Sequence, residues 1–476
     1  MIATSLAQIA LDCEGTLGAP GAAEDSIAIS ADDVVTSVAT DNRQVNGGEL
    51  FVAIKGERID GNTLANAALL AGAAGVLTSD PETAAASGAD PARLVVVDEP
   101  IAALGRLARA SLARLRAEGN PDLRVVAVTG SVGKTTTKDL LASLLKERGP
   151  IIAPPGSFNN ELGLPLTVLR ATADTATLVL EMGADHVGNL EYLTSIAPPD
   201  VSVVLVVARA HLGEFGGIEN VALAKSELVS GTRADGVVVL NADDERVAAM
   251  APKAPGVLVR FSAKGQSDAE VRAENVSAQD ARASFDLVTP SGSARVDLKL
   301  IGEHHVTNAL AAAAVADVLG IGVAEIAAVI TATGPASPHR MDVDTRGGVT
   351  IIDDSYNANP DSMRAGLDAL KTLGQGRRTI AVLGAMLELG DASADEHEAI
   401  GEYCAGIDVV VAVGEGVAEL SKAAFGAGSQ VYDAPDTDAA LALLSTLLVN
   451  GDVLLLKGSN GSGVWRIADS LKEGDS

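Results

Sequence analysis

The sequence predicts an α/β protein of three domains. These are a small α/β N-terminal domain, a central parallel sheet of the P-loop ATPase type, and a C-terminal Rossmann-like, doubly wound domain. Three observations lead there. At roughly 150 residues per domain, a chain of 476 residues divides into three. Apolar runs of strand length alternate with helical stretches, the pattern of a parallel sheet covered on both faces. The segment TGSVGK (129–134) joins one such run to a helix-like segment, the setting that a phosphate loop requires.

Taken in order, residues 1–119 carry short strand-like runs, LFVAIKG (50–56) and RLVVVD (93–98), among alanine-rich helical stretches. The helical pattern IAALGRLARASLARLRAEG closes this block, with Gly119, Asn120 and Pro121 as stop signals. The block 120–334 opens with RVVAVTG (124–130) and the helix-like KTTTKDLLASLLKER. Strand runs follow at TLVLEMG (177–183), VSVVLVVA (201–208) and GVVVLNADD (236–244). From about 255 to 301 the pattern becomes short polar–apolar alternation, which predicts antiparallel strands at the edge of the block. An alanine-rich helix, NALAAAAVADVLG (308–320), precedes the Gly/Pro/Ser stretch TGPASPHR (333–340), and a boundary falls near 335. The block 335–476 has four apolar runs, VTIIDDSY (349–356), RTIAVLG (378–384), DVVVAVG (408–414) and DVLLLKGS (452–459), the pattern of a smaller doubly wound sheet.

Composition excludes several functions. Hydrophobic residues make up 47% and charged residues 21%, enough apolar content for packed cores. Lys plus Arg total 35 against 63 Asp plus Glu, a formal charge of −28, so a general nucleic-acid or anionic-membrane binder is not expected. Aromatics are 2%, too few for base-stacking platforms. Cys13 and Cys404 lie nearly 400 residues apart, which fits two reduced thiols better than a disulfide framework or a thiolate metal site. The N-terminus lacks a basic region before Asp12, and no apolar run approaches ~18 residues. A soluble cytoplasmic protein is expected.

The chemistry concentrates at AVTGSVGKTTTK (127–138). Gly130 and Gly133 let the backbone wrap a phosphate, with amides of Ser131, Val132 and the helix N-terminus facing the anion. Lys134 reaches the β and γ phosphates, and Thr135 offers its hydroxyl to Mg²⁺. Val128 occupies the first glycine position of the standard G-x-x-x-x-G-K-[ST] pattern. The junction predicts ATP or GTP. No N-K-x-D base-reading motif occurs, LNADD (240–244) lacking the lysine, so ATP is favoured. Glu181 ends an apolar strand run, at the edge where ligands gather in open parallel sheets, and is placed to hold Mg²⁺. His211 follows another such run by three residues. Lys225 lies fourteen residues on, in a helical segment, where by itself it reads as a solvated lysine. His186, His304, His305, His339 and His397 show no chelating spacing.

Several segments together resemble the Mur ligase family of ATP-dependent amide-forming enzymes. They include TGSVGKTTTKD, FNNELGLPLTVL (158–169), LEMGADHVGNLEYL (180–193), RAHLGEFGG (209–217), ALAKSEL (222–228), GEHHVTNALAAA (302–313), RMD (340–342) and DDSYNANPDSM (353–363). TDNRQVNGGELFVAIKGERIDGN (40–62), LGAMLELGDASADEHEAIG (383–401) and KGSNGSGVWRI (457–467) carry the resemblance into the outer blocks. The resemblance implies that residues 1–119 bind a UDP substrate, 120–334 bind ATP and 335–476 bind the incoming dipeptide. The implied reaction phosphorylates the terminal carboxylate of UDP-N-acetylmuramoyl-tripeptide with ATP. The amine of D-alanyl-D-alanine then attacks the acyl phosphate, giving the pentapeptide for cell-wall peptidoglycan.

The same resemblance assigns ATP to Gly130, Ser131, Val132, Gly133, Lys134, Thr135 and Thr136, with Asn308 on the adenine side and Arg340 and Asp354 at phosphate and ribose. Thr135 and Glu181 are implied for one Mg²⁺, His211 and Lys225 for a second, with Lys225 carbamylated. Catalytic roles fall to Lys134, Glu181, His211 and Lys225. Thr40, Asp41, Asn42 and Arg43 resemble the motif for the uridine diphosphate, with Asn42 where Ser or Thr is expected. Asn159 and Asn160 are implied for the same UDP-muramoyl substrate. His305 stands where relatives often carry Asn or Gln and is given no role, and Asn460 stands where some relatives have a basic residue.

Two other readings share the ATP core. The ligase of the preceding step usually carries Asp-Asn-Pro-Arg, which is not in the chain, and a folylpolyglutamate synthase lacks an N-terminal uridine-type domain. A non-catalytic nucleotide-binding protein is the rival from another class. It is disfavoured by the presence of Lys134, Glu181, His211 and Lys225. A monomer is expected.

Overall fold

The computed structural model describes residues 1–154, 156–208 and 215–473. It divides into two compact units: Met1–Ala127 with Leu145–Met182 and Glu191–Asp200, and Val128–Leu144 with Gly183–Leu190 and Val201–Ser476.

In the first unit, β1 (Thr4–Ser5) and β3 (Val34–Val35) form a short antiparallel ladder. A five-stranded sheet has the order β2 (Thr16–Leu17), β7 (Leu94–Val96), β6 (Gly75–Thr78), β5 (Glu49–Val52) and β4 (Ser37–Ala39). All its pairings are parallel except that of β2 with β7. The helix Pro100–Arg114 opens on Glu99, whose side chain accepts from Ala102 N–H, with Pro100 in the first turn. Proline is favoured at the first helical position, and the longer Glu99 side chain here satisfies an amide that Ser, Thr, Asp or Asn more often caps. β8 (Arg124–Thr129), β9 (Ile151–Ile152) and β10 (Thr177–Glu181) follow, with β10 parallel to β9. The carboxylate of Asp200 accepts from Arg116 Nη2 at 2.6 Å and from Val125 N–H at 2.7 Å, tying the end of the long helix to the start of β8.

β8 ends in the second unit, where Leu205 N–H donates to the Thr129 carbonyl. Here β11 (Val201–Val204), β12 (Val237–Asn241) and β13 (Val257–Ser262) run parallel, and β13 pairs parallel with β14 (Val271–Gln279). β15 (Arg282–Thr289) and β16 (Gly292–Ile301) continue antiparallel. The expected antiparallel edge therefore begins at β14; β13, inside the alternating stretch, still pairs parallel on both sides. The helix His305–Val318 packs on β11–β16 and is buried nearly all round, including Ala309, Ala311, Ala312, Ala313 and Ala314.

The C-terminal sheet has the order β17 (Asp342–Arg346), β18 (Val349–Asp354), β22 (Val453–Lys457), β19 (Thr379–Gly384), β20 (Val409–Val413) and β21 (Gln430–Ala434). All pairings are parallel except β17 with β18. Its strands feed two cores by simple alternation. Ile352, Ala381, Leu383, Val410 and Leu455 face helices carrying Met363, Leu367, Ile400 and Leu420. Ile351, Ile380, Val382, Val411 and Leu454 face those carrying Leu444 and Ile467. Both faces being covered, the strands read as unbroken apolar runs. The helix Pro360–Leu373 starts with a capping box: Asn359 Oδ1 accepts from Ser362 N–H at 2.9 Å and Ser362 Oγ from Asn359 N–H at 3.0 Å.

Candidate active site

The phosphate loop follows β8, and the helix Lys134–Leu145 begins at its lysine. Gly133 has φ +85°, and a Cβ there would collide with the Asn308 side-chain oxygen. Only glycine fits both the backbone and the space. At Gly130 a Cβ would stand 2.8 Å from Leu205 Cβ. Ser131 Oγ donates to the Ala208 carbonyl at 3.2 Å and accepts from Ala208 N–H at 2.9 Å, strapping the loop to the chain after β11. Lys134 Nζ donates to the Gly130 carbonyl at 2.8 Å. Val132 and Thr136 are half-buried. Thr137, in the first turn of that helix, has its Oγ1 buried with no hydrogen-bond partner, while Gly130 and Gly133 leave the loop without side chains at its two turns. A phosphate fits such a loop.

Asn308 comes from the first turn of the alanine-rich helix. Its Nδ2 lies 3.1 Å from His305 Nδ1, so the imidazole accepts there and carries its proton on Nε2. Burial, and then the neighbouring His304, hold the His305 pKa well below its usual value, which keeps the ring neutral. His305, given no role from sequence, thus orients the amide of Asn308. From the start of the C-terminal block, Arg340 lies with its guanidinium carbon 4.0 Å from the Tyr356 ring centroid and donates to Thr135 Oγ1 at 3.1 Å. Asp354, at the end of β18, accepts from Met341 N–H at 3.2 Å and from Lys457 Nζ at 2.5 Å.

Lys225 is on the helix Ile218–Ser230 and only 4% exposed. Burial, with repulsion from Lys134, pushes its pKa down from 10.5 to about 7. It is therefore no solvated helix lysine: its surroundings disfavour the ammonium and favour the neutral amine. His211 lies outside the described residues.

In the first unit, Glu181 closes β10 and is 1% exposed. Asn159 Nδ2 donates to its Oε1 at 2.8 Å. Asn160 instead turns its Oδ1 to the start of the helix Gly163–Val168, accepting from Gly163 N–H at 2.9 Å. Thr40 is half-buried, and Asn42 and Arg43 lie in a short 3₁₀ turn. Asp41 accepts from Arg43 Nε at 2.9 Å and Nη2 at 2.6 Å, which pulls the Asp41 pKa down to about 2. Among the described residues, no three His, Cys, Asp or Glu side chains cluster as a metal cage. Mg²⁺ needs no such cage, since it takes one or two protein oxygens beside phosphate and water.

Three family models match the chain: the Mur ligase middle domain over 128–316, the Mur ligase glutamate ligase domain over 339–460 and the Mur ligase family catalytic domain over 34–112. A UDP-N-acetylmuramoyl-tripeptide–D-alanyl-D-alanine ligase of Mycobacterium bovis is 45% identical over 479 residues, covering 93% of each chain. The chain belongs to the Mur ligase family. As a Mur ligase it is an ATP-dependent ligase, with the three-domain α/β fold of its relatives. A crystal structure of MurF from Acinetobacter baumannii superposes with a TM-score of 0.83, at 30% identity over 99% of both chains. MurF ligase from Thermotoga maritima, solved in complex with ADP, gives 0.77 at 27% identity, covering 95% of this Mur ligase and 99% of that chain. Among the described residues no helix is long and apolar enough to cross a membrane.

Proposed function

We propose that this Mur ligase joins D-alanyl-D-alanine to UDP-N-acetylmuramoyl-tripeptide in the cytoplasm, as a monomer, yielding the pentapeptide precursor of peptidoglycan. The observation that carries the reading is the 45% identity, over 93% of both chains, to a relative named for that reaction. The domain roles are residues 1–119 for the UDP moiety, 120–334 for ATP and 335–476 for the dipeptide.

The chemistry asks that two anions meet, a carboxylate and the γ phosphate, so fixed positive charge and donors must precede transfer. Lys134 and the amides from Gly130 to Thr136 bind the phosphates, and Arg340 adds a guanidinium whose contact with Thr135 supports this role. Asn308 takes the adenine edge and Asp354 the ribose side. Thr135 and Glu181 are the proposed donors to one Mg²⁺, His211 and Lys225 to a second, and bound magnesium supplies charge neutralisation at the transferring phosphoryl group. Glu181 arrives with its carboxylate already oriented by Asn159. For Lys225, a pKa lowered to about 7 means that the ammonium readily gives up one proton; the neutral amine adds to CO₂, an N–C bond forming as one C=O π bond opens, and a second proton leaves, so that a carbamate anion suited to a metal stands where the cation was. Asn159, Asn160 and the turn Thr40–Arg43 contribute to the UDP-muramoyl substrate.

Phosphate release from ATP and Mg²⁺ tests the reading with two substrate pairs. Release with UDP-muramoyl tripeptide plus D-alanyl-D-alanine, with a pentapeptide by mass, is expected. Release only with UDP-muramoyl dipeptide plus a diamino acid would move the enzyme one step earlier, and ATP binding without turnover would leave a nucleotide-binding protein.

A further inference from the structure

Lys457 is the last residue of β22 and is 1% exposed. A buried ammonium is tolerated only when its protons are all engaged. Here Nζ donates to Asp354 Oδ2 at 2.5 Å, the Asn357 carbonyl at 3.1 Å and the Asp354 carbonyl at 3.4 Å. The stem passes Gly366 in the helix Pro360–Leu373, where a Cβ would stand 3.0 Å from Lys457 Cδ. Glycine in a helix interior is unfavourable in itself, so the position serves the lysine.

The other carboxylate oxygen of Asp354 accepts from Met341 N–H. Met341 has φ +52° and His339 φ +59°, left-handed conformations that non-glycine residues hold only when their surroundings enforce them. They flank Arg340. His339 is fixed too: its carbonyl accepts from Tyr356 N–H at 3.1 Å, and its Nδ1 meets Asp353 Oδ2 at 2.9 Å.

We infer that Lys457 is a positioning residue for the nucleotide site, acting through the Asp354 carboxylate and the Met341 amide to hold Arg340 against Thr135 and the phosphate loop. The ammonium fixes Asp354, the carboxylate fixes the Met341 backbone, and that backbone aims the guanidinium. The inference rests on the reading above that Arg340 serves the phosphates of ATP.

The test compares ADP–Mg²⁺ binding by calorimetry for wild type, Lys457→Met, Arg340→Ala, the double variant and Gly366→Ala, all as full chains. Circular dichroism and urea unfolding report folding. Lys457→Met should weaken ADP at least tenfold, raise KM for ATP similarly and change KM for D-alanyl-D-alanine less than twofold. In the Arg340→Ala background, Lys457→Met should add less than twofold, because its effect is routed through the arginine. Gly366→Ala, which presses on the lysine stem without removing a charge, should weaken ADP two- to threefold and stands in if Lys457→Met does not fold. Wild-type ADP affinity in Arg340→Ala overturns the nucleotide reading and the inference with it. A weakened Arg340→Ala beside unaffected Lys457→Met and Gly366→Ala, or additive losses in the double variant, overturns the inference alone.

Discussion

Lys225→Met should give a protein that is more stable than wild type near neutral pH and inactive. Lys225 is buried, and its pKa lies at about 7 against 10.5 for an ordinary lysine. Because the folded value is the lower one, folding expels a proton. The resulting destabilisation is fully present below about pH 7 and is lost as pH rises towards 10.5. At ~1.36 kcal/mol per pK unit it comes to about 4 kcal/mol at pH 7. Methionine keeps the stem and the burial without the charge, and imperfect repacking offsets up to ~1.5 kcal/mol. A net gain of roughly 2–4 kcal/mol at pH 6–7, shrinking to nearly nothing by about pH 10, is the expectation. Urea unfolding in CO₂-free buffers across that range, paired with hydrogen exchange of the helix Ile218–Ser230, reads it out. Bicarbonate should then stabilise wild type and leave Lys225→Met unmoved. A variant less stable than wild type at pH 6, or a difference that does not change with pH, would refute the account of a neutral buried amine.

Other substitutions reach other parts of the molecule. Gly133→Ala should cost at least ~1 kcal/mol in left-handed strain and, through the collision with Asn308, weaken ADP more than tenfold by calorimetry while secondary structure by circular dichroism stays intact. Asp200→Ala removes the acceptor shared by Arg116 and Val125 N–H and should destabilise by roughly 3 kcal/mol, seen as a lower urea midpoint with little change in KM for ATP. Asn159→Ala leaves Glu181 less well oriented, so the Mg²⁺ concentration giving half-maximal phosphate release should rise severalfold in a metal titration.

The elements best legible in the sequence were those whose pattern is local. TLVLE and VVVAV are buried at every position, and unbroken apolar runs of that length have few other homes. β17, DVDTR, and β21, QVYDA, were not foreseen because they are edge strands, where polar side chains face water. The phosphate loop was legible because its glycines, lysine and threonines are consecutive. Its partners were less so: the Gly133–Asn308 approach spans 175 positions, and a single sequence does not reveal such a pairing. Glu181 could be placed at a strand end, but not its hold by Asn159. Lys225 read by itself as a solvated lysine because its residue type outweighed its position, although Val221, Ala222, Leu228 and Val229 at helical spacing put it on an apolar face. Lys457 opens a segment that carries the family resemblance, yet nothing local gave it a role, its partner Asp354 being 103 residues away.

The alanines of the helix His305–Val318 have a mechanical consequence. Alanine has no side-chain rotamers to freeze, and the middle of this helix, Ala311–Ala314, is buried with nothing larger than a methyl group on any side. Over that turn the helix is thin, and little but methyl groups separates its backbone from its surroundings. Asn308 stands one turn before it, so the seating of that thin stretch bears on the close approach of the amide to Gly133. Thickening the stretch by one or two carbons would shift the amide before it unfolded the domain. The tolerance of this stretch to larger residues is therefore a matter of alignment rather than of cohesion.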